Sequence, residues 1–201
     1  MRLSPVEMHA MQSPVRRWSQ KHVELRAFTR MLSEAGIDLR GKRILEAGCG
    51  SGYGLSLLSE RFAPSRLAGF DLMPEQIELA RKRMRPGGPS VELAVGDITR
   101  VAHEDASFDA VFVFGILHHV SAWRDALKEL HRVLAPGGVL LVEELSGRFI
   151  DFSDRFLFTE HPRDVRLRWD DLRAGLRGAG FEIVAERRLA LELARSFLAR
   201  K

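Results

Sequence analysis

The sequence predicts an α/β fold: a single doubly wound, mostly parallel seven-stranded sheet with helices on both faces. Brief runs rich in Val, Leu and Phe alternate with segments of helical period, which is typical of strand–helix–strand units. The brief runs are apolar on both faces, as strands are when helices cover a parallel sheet on each side. The length of 201 residues favours one domain. We therefore expect one domain over 37–201, preceded by an N-terminal helical extension over 1–36.

The N-terminal extension contains one predicted helix, over 14–35. Ser13 is its expected N-cap, Pro14 occupies the first position and Gly36 ends it. Apolar residues recur at helical spacing, and they are Val15, Trp18, Leu25, Phe28 and Leu32. The pattern predicts an amphipathic helix that packs on the sheet and serves as a lid.

Strands and helices alternate through the rest of the chain. Strands are predicted over 43–48, 66–71, 91–95, 108–114 and 138–143, and helices over 54–62, 74–85 and 122–134. Pro136-Gly137-Gly138 is expected to end the last of these helices. Residues 145–164 are rich in aromatic side chains and are interpreted as a loop or short helix inserted on the substrate side of the sheet. A helix near 169–178 and strands near 181–188 and 191–198, the last one reversed, complete the prediction.

Composition and charge narrow the classes of function. The net charge of +4 and the pI of about 9.7 first suggest nucleic acid or a membrane surface as partner. The net positive charge, however, lies at the two ends of the chain, and residues 44–143 sum to −3. A nucleic-acid groove normally has a denser basic stripe, so nucleic acid is disfavoured. The single cysteine and the lack of an apolar run of about 20 residues predict a cytoplasmic protein.

Four alternating glycines, at 48, 50, 52 and 54, follow the first predicted strand. Glycines at such a junction let the backbone approach a ligand closely. The dinucleotide fingerprint fails here, because its third glycine position holds Tyr53 or Leu55, and the lysine of a phosphate-binding P-loop is absent. Glu46 lies just ahead of the glycines and would repel a phosphate, so the residues favour a ligand that carries a cation.

The run Leu45-Glu46-Ala47-Gly48-Cys49-Gly50-Ser51-Gly52 resembles the first motif of class I S-adenosylmethionine (SAM)-dependent methyltransferases. Phe70-Asp71-Leu72 is similar to their second motif, whose acid accepts both ribose hydroxyls of the cofactor. Gly96-Asp97-Ile98 resembles the site that binds the adenine. The resemblance spans residues 40–144 and implies a Rossmann-like methyltransferase fold with SAM as cofactor. It assigns cofactor contacts to Glu46, Gly48, Cys49, Gly50, Tyr53, Asp71, Leu72, Asp97, Ile98 and Gly115.

The segment Gly115-Ile116-Leu117-His118-His119 is similar to the small-molecule branch of the family that includes quinone-biosynthesis methyltransferases. His118 and His119 are candidate general bases, because an imidazole titrates near neutrality. The alternative is a packing role, since methyl transfer from a sulfonium can rely on positioning. No metal site is expected, because no third ligand stands at a diagnostic spacing.

The acceptor is expected to be a small or medium-sized metabolite, bound by the parts of the chain outside the common core. Candidate acceptor-binding residues are Trp18, His22, Phe149 and Phe152. Motifs that resemble those of nucleic-acid methylation, Asp/Asn-Pro-Pro-Tyr/Phe and Pro-Cys, are absent. The alternatives are a lipid or RNA methyltransferase and a catalytically silent SAM-binding subunit. A membrane surface is disfavoured, because the basic residues are spread around the N-terminal helix, and the pattern does not specify an oligomeric state.

Overall fold

The computed structural model describes residues 12–84, 90–156, 165–189 and 192–201. Its sheet has seven strands in the order β3-β2-β1-β4-β5-β7-β6, and β7 runs antiparallel to both of its neighbours. The pairs among β1 to β5 are parallel. The predicted doubly wound sheet with a reversed last strand is confirmed. The strands are β1 Arg43–Ala47, β2 Arg66–Asp71, β3 Val91–Val95, β4 Phe108–Phe114, β5 Leu134–Leu145, β6 Glu182–Leu189 and β7 Ala194–Arg200.

Helices cover both faces of the sheet, and each face has its own apolar cluster. On one face Phe28 and Leu58 pack near the rings of Phe112 and Phe114. On the other face Leu127 and Leu176 belong to a cluster that includes strand residues of β4 and β5. The helices are α1 Pro14–Ser19, α2 Leu25–Glu34, α3 Tyr53–Phe62, α4 Pro74–Arg83, α5 Trp123–Val133, α6 Gly147–Phe156 and α7 Trp169–Gly178.

The N-terminal helix is interrupted. Its predicted start is confirmed, because the Ser13 side chain accepts a hydrogen bond from the backbone N–H of Arg16. A π-helical segment, Gln20–Glu24, then separates α1 from α2. A π-turn holds one more residue than an α-turn, so the predicted apolar stripe does not continue across it. As a result Phe28 is fully buried, whereas Trp18 is 61% exposed.

Two further boundaries differ from the prediction. Strand β5 already begins at Leu134 and contains Pro136-Gly137-Gly138. Leu134 pairs with Phe108 of β4, and the backbone of Gly137 and Gly138 is hydrogen-bonded to that of Lys201. Residues 147–156 of the aromatic-rich segment form α6, and 157–164 lie outside the described residues. Among the helices that the structure describes, none has the length and apolarity needed to cross a membrane.

Candidate active site

The site is built where the carboxyl ends of β1, β2, β4 and β5 meet. The loop after β1 is tied to β2, because the backbone N–H groups of Gly48 and Cys49 both donate to the Phe70 carbonyl at 2.9 Å. Gly48 has a φ of +74°, and a Cβ built there would lie 2.7 Å from Cγ1 of Ile116. Both the backbone conformation and the space therefore require glycine at this position.

Asp71 stands at the end of β2 beside this loop. Its Oδ2 accepts the N–H of Gly50 and its Oδ1 accepts the N–H of Met73, each at 2.9 Å. Burial raises the pKa of Asp71 above its usual value, although these two hydrogen bonds act in the opposite direction. Each oxygen keeps a second lone pair, so the carboxylate can still accept two hydroxyl donors.

Glu46 is a buried carboxyl with unused hydrogen-bonding capacity. Its side chain is enclosed beneath the glycine loop, and a Cβ on Gly54 would lie 2.1 Å from its Oε1. Its Oε2 is buried and, within the part of the chain that the structure describes, has no hydrogen-bond partner. Burial, and then the charge of Asp71, raise the pKa of Glu46 well above its ordinary value, while Arg16 lowers it. An orphaned buried acceptor of this kind suits a ligand that brings a positive charge or an N–H donor.

Three charged residues that sequence reasoning missed complete this side of the site. Arg16 of α1 donates to Oε1 of Glu24 at 2.5 Å, and its guanidinium lies 4.0 Å from the position of a Cβ built on Gly115. Oε2 of Glu143 lies 3.3 Å from the same position. Burial and the charge of Glu24 raise the pKa of Glu143 well above its usual value. Arg16, Glu24 and Glu143 therefore surround the end of β4 next to Glu46.

The sequence held a signal for Glu143 but little for the other two. Glu143 ends a buried apolar run at the carboxyl end of a parallel strand, which is where open α/β sheets bind ligands. Arg16 lies in α1, and Glu24 lies eight residues later at the end of the π-segment. A π-turn has no reliable sequence signature, so their pairing was not predictable.

The histidine pair occupies the turn after β4, in a short 3₁₀ helix, Leu117–His119. His118 is buried, and its Nδ1 lies 2.6 Å from Oε2 of Glu144. Oε1 of Glu144 accepts the backbone N–H of Leu117, also at 2.6 Å. Glu144 thereby fixes both the ring and the turn that carries it. His119 is partly exposed, and its ring centroid lies 4.2 Å from that of His118.

The predicted adenine contacts, Asp97 and Ile98, follow β3, and Leu72, a predicted cofactor contact, follows β2. Leu72 is exposed beside Asp71 and offers an open apolar surface. Asp97 is exposed, and its Oδ1 accepts from the backbone and hydroxyl of Thr99. Ile98 is buried in the core cluster, so less of its side chain is accessible to a ligand than that of Leu72. Cys49 is buried in the loop, where burial raises the pKa of its thiol far above the usual value.

The candidate acceptor residues fall on two separate elements. Trp18 and His22 are ring neighbours on the N-terminal helix, with centroids 5.5 Å apart. Phe152 is half exposed on α6, and its ring centroid lies 4.9 Å from that of Phe156. Phe149 is less exposed, and its backbone N–H donates to the Ser146 hydroxyl. The roles of these residues stay predictions.

The residues of the site fit SAM. Asp71 can accept ribose hydroxyls, Leu72 lies beside it for an adenine face, and the orphaned carboxyl of Glu46 suits the positively charged amino-acid end. The glycines allow the backbone of the loop to approach the ligand closely. Among the described residues, no three His, Cys, Asp or Glu side chains form a cluster suited to a metal ion.

Comparison with known proteins agrees with this geometry. Residues 45–142 match the family described as "Methyltransferase domain". The chain is 36% identical over 115 residues to a fatty-acid O-methyltransferase of Mycolicibacterium smegmatis, a match that covers 57% of this chain and 41% of the relative. It is 38% identical over 102 residues to the phthiotriol/phenolphthiotriol dimycocerosates methyltransferase of Mycobacterium tuberculosis, covering 51% of this chain and 37% of that one. The matches thus span about two fifths of the length of these relatives.

The fold also matches solved structures over its full length. A SAM-dependent methyltransferase from Aquifex aeolicus aligns with a TM-score of 0.76 at 17% identity, covering 99% of both chains. At this identity the likeness supports the fold alone. The two mycobacterial relatives are named for a fatty acid and for phthiotriol dimycocerosates. The resemblance to the quinone-biosynthesis branch therefore stays a prediction. Residues 45–142 therefore match a methyltransferase domain, and the architecture is the fold of solved SAM-dependent methyltransferases.

Proposed function

We propose that this protein transfers the methyl group of SAM to an acceptor with a lipid-like apolar body. SAM supplies an activated methyl group on a sulfonium, so the protein's task is to bind, orient and exclude water. Asp71 and Glu46 would fix the two ends of the cofactor, and Gly115 would allow close approach at the end of β4. Trp18 and the aromatic residues of α6 would cover the rim above them.

One observation carries the proposal for the acceptor: large apolar side chains are exposed around the carboxyl edge of the sheet. Trp18 is 61% exposed on α1, whose neighbouring Arg16 reaches into the site. Phe152 and Phe156 are more than half exposed on α6, which directly follows β5. Leu193 joins them, since its carbonyl accepts the N–H of Ser146 ahead of α6. Exposed apolar groups that gather at one site are typical of surfaces that bind apolar ligands.

The lipid names of the two curated relatives support the same class of acceptor. Their printed activities concern a fatty acid and a phthiotriol dimycocerosate, both of which have long apolar chains. The smaller metabolite expected from the sequence stays compatible with the site, provided that it is amphipathic. The alternative from another class is a SAM-binding subunit without catalytic activity. Transfer of the methyl group to an acceptor distinguishes an enzyme from such a subunit.

The experiment is a transfer assay with SAM that carries a radioactive methyl group. Acceptors would be a long-chain fatty acid, a long-chain alcohol, short benzoate and total RNA, with label counted in the organic and aqueous phases. We expect label in a long-chain product, and a KM that falls as the chain lengthens. Transfer to RNA or to benzoate in preference to the long chains would contradict the proposal, and no transfer to any acceptor would favour the silent subunit.

Matched variants test whether the rim binds the acceptor. Trp18→Ser and Phe152→Ser remove exposed rings and should raise KM for a long-chain acceptor about 5- to 50-fold, because each loses apolar contact with it. SAM affinity should stay unchanged in both variants. Leu79→Ser is the control, because Leu79 is an exposed apolar residue of α4 that lies outside the rim. Equal effects of all three changes would argue against a rim-bound acceptor.

A further inference from the structure

Two arginines converge on one tyrosine at the mouth of the glycine loop. The guanidinium carbon of Arg17, from α1, lies 5.8 Å from the centroid of the Tyr53 ring. That of Arg83, from the last turn of α4, lies 5.7 Å from the same centroid. Nε of Arg83 donates to the carbonyl of Ser51 at 2.8 Å, which anchors the arginine to the loop. Three elements distant in sequence thus bring two positive charges to one aromatic ring.

Among the described residues, these two charges differ from their neighbour Arg16, which has a carboxylate partner. Arg16 is balanced by Glu24 and faces Glu143. In the part of the chain that the structure describes, neither Arg17 nor Arg83 forms an ion pair with a carboxylate. Nε of Arg17 is buried, and no hydrogen-bond partner for it lies within the described ranges. Burial, and then the charge of Arg17, lower the pKa of Arg83. Two partly buried, mutually repelling cations are an unfavourable arrangement unless an anion joins them.

We propose that Arg17, Tyr53 and Arg83 form a carboxylate-binding site at the glycine loop. A guanidinium presents N–H donors in a fork that matches a carboxylate, and the tyrosine hydroxyl can add a donor. Glu46 and Glu143, whose pKa values are raised by burial, offer a carboxylate no cationic partner, so a carboxylate is directed to the arginines.

Two ligands of this protein can supply the carboxylate. One is the methionine part of SAM, whose ammonium group would face Glu46. The other is the head group of a fatty-acid acceptor, and this second source rests on the proposed function. Both sources involve the same chemistry, a carboxylate held by two guanidinium groups.

Calorimetry on the full chain separates the sources. SAM and decarboxylated SAM differ only in the carboxylate, and both keep the sulfonium and the ammonium. If the site holds the cofactor, the double variant Arg17→Met/Arg83→Met should bind SAM about 10- to 100-fold more weakly and decarboxylated SAM unchanged. Arg26→Met is the matched control, because Arg26 is an exposed arginine of α2, the helix that follows the π-segment. It should change neither affinity.

The second arm uses octanoate as the probe, titrated into protein saturated with S-adenosylhomocysteine. If the site holds the acceptor, octanoate binding should fall at least 10-fold in the double variant while SAM affinity stays unchanged. If SAM and octanoate both bind the variant as they bind the parent protein, the arginines only clamp the tyrosine ring and the proposal is wrong. Arg17→Gln alone provides the same comparison if the double variant does not fold. If the double variant binds SAM more weakly as expected but no long-chain acceptor is methylated in the transfer assay, the proposed acceptor class is wrong. The carboxylate-binding site is supported in that case.

Discussion

Asp71 is held by backbone N–H groups from both sides, one from the glycine loop and one from the turn before α4. This arrangement orients the carboxylate before the cofactor arrives. It also couples the carboxylate to the shape of the loop, because Gly50 belongs to the glycine run. A substitution at Asp71 is therefore expected to act on the proposed ligand contact and on the loop together.

Asp71→Ala should weaken SAM binding by about 1.5–3 kcal/mol, the usual scale for hydrogen bonds to a charged group. Calorimetry on the purified variant measures this change. Asp109→Ala serves as control, since Asp109 pairs with Arg43 at the other end of the sheet. Unchanged affinity in a folded Asp71 variant would remove this residue from the cofactor site.

Glu143 offers a prediction about stability and pH. The folded state raises the pKa of Glu143, so folding favours the protonated carboxyl. The stability that this provides is fully present below the ordinary glutamate pKa. It is lost as the pH rises through the raised pKa of the folded state. Glu143→Gln should therefore have nearly the parent's unfolding free energy near pH 4.5 and exceed it by about 1 kcal/mol or more at pH 8. Urea unfolding at several pH values measures the difference. Exposed Glu182→Gln should show no such trend.

Substitutions of the two histidines should differ in their effect on the free energy of unfolding. His118→Ala leaves the buried Glu144 carboxylate without its ring partner, so it should cost about 3–5 kcal/mol of unfolding free energy. His119→Ala should cost less than about 1 kcal/mol, because His119 is partly exposed. If a general base is used, the pH–rate profile should change in the His119 variant. Equal stability losses in the two variants would contradict this division.

At the scale of the elements, the π-segment between α1 and α2 has the largest consequence for the site. It turns the polar residues Gln20 and Glu24 inward, where Glu24 pairs with Arg16. The same turn rotates α1 relative to α2, so that Trp18 faces outward while Phe28 packs on the sheet. One additional residue in a turn therefore converts a uniform amphipathic helix into a packed half and a half that borders the site.

The packing of α7 on α5 allows a test with two glycines of one helix. A Cβ on Gly175 would lie 2.3 Å from Cζ3 of the buried Trp123, whereas a Cβ on Gly178 would meet nothing within 4 Å. Gly175→Ala should therefore destabilise the protein by about 1–3 kcal/mol. Gly178→Ala should be neutral or stabilise it by up to about 1 kcal/mol, because alanine has the higher helix propensity. Opposite signs in thermal or urea unfolding are the expected result.

At the scale of the whole molecule, cofactor binding should appear as global stabilisation. A ligand that binds only the folded state at about 100 times its Kd adds about 2.7 kcal/mol. For a chain of this size that corresponds to a rise of about 5–11 °C in Tm. Differential scanning fluorimetry with SAM measures it. NAD at the same concentration should give no shift, because the third glycine of the dinucleotide fingerprint is missing.

The order of strands and helices was predictable because each element leaves a local signal. Apolar runs, glycine and proline positions and helical spacing act over a few residues. The glycine loop and Asp71 were predictable for a related reason, since parallel strands bring their carboxyl ends to one edge. The seven-stranded sheet and the candidate cofactor residues could thus be proposed from the sequence alone.

The sequence by itself determined the type of fold and the position of the glycine loop with Asp71 beside it. Only the tertiary structure decided the charge balance of the site: Arg16 with Glu24, His118 with Glu144, and Arg17 with Arg83 around Tyr53. These groups come from elements distant in sequence or from opposite sides of a π-turn. Electrostatic partners are set by distance in space and by burial, and neither quantity is written in the spacing of residues along the chain.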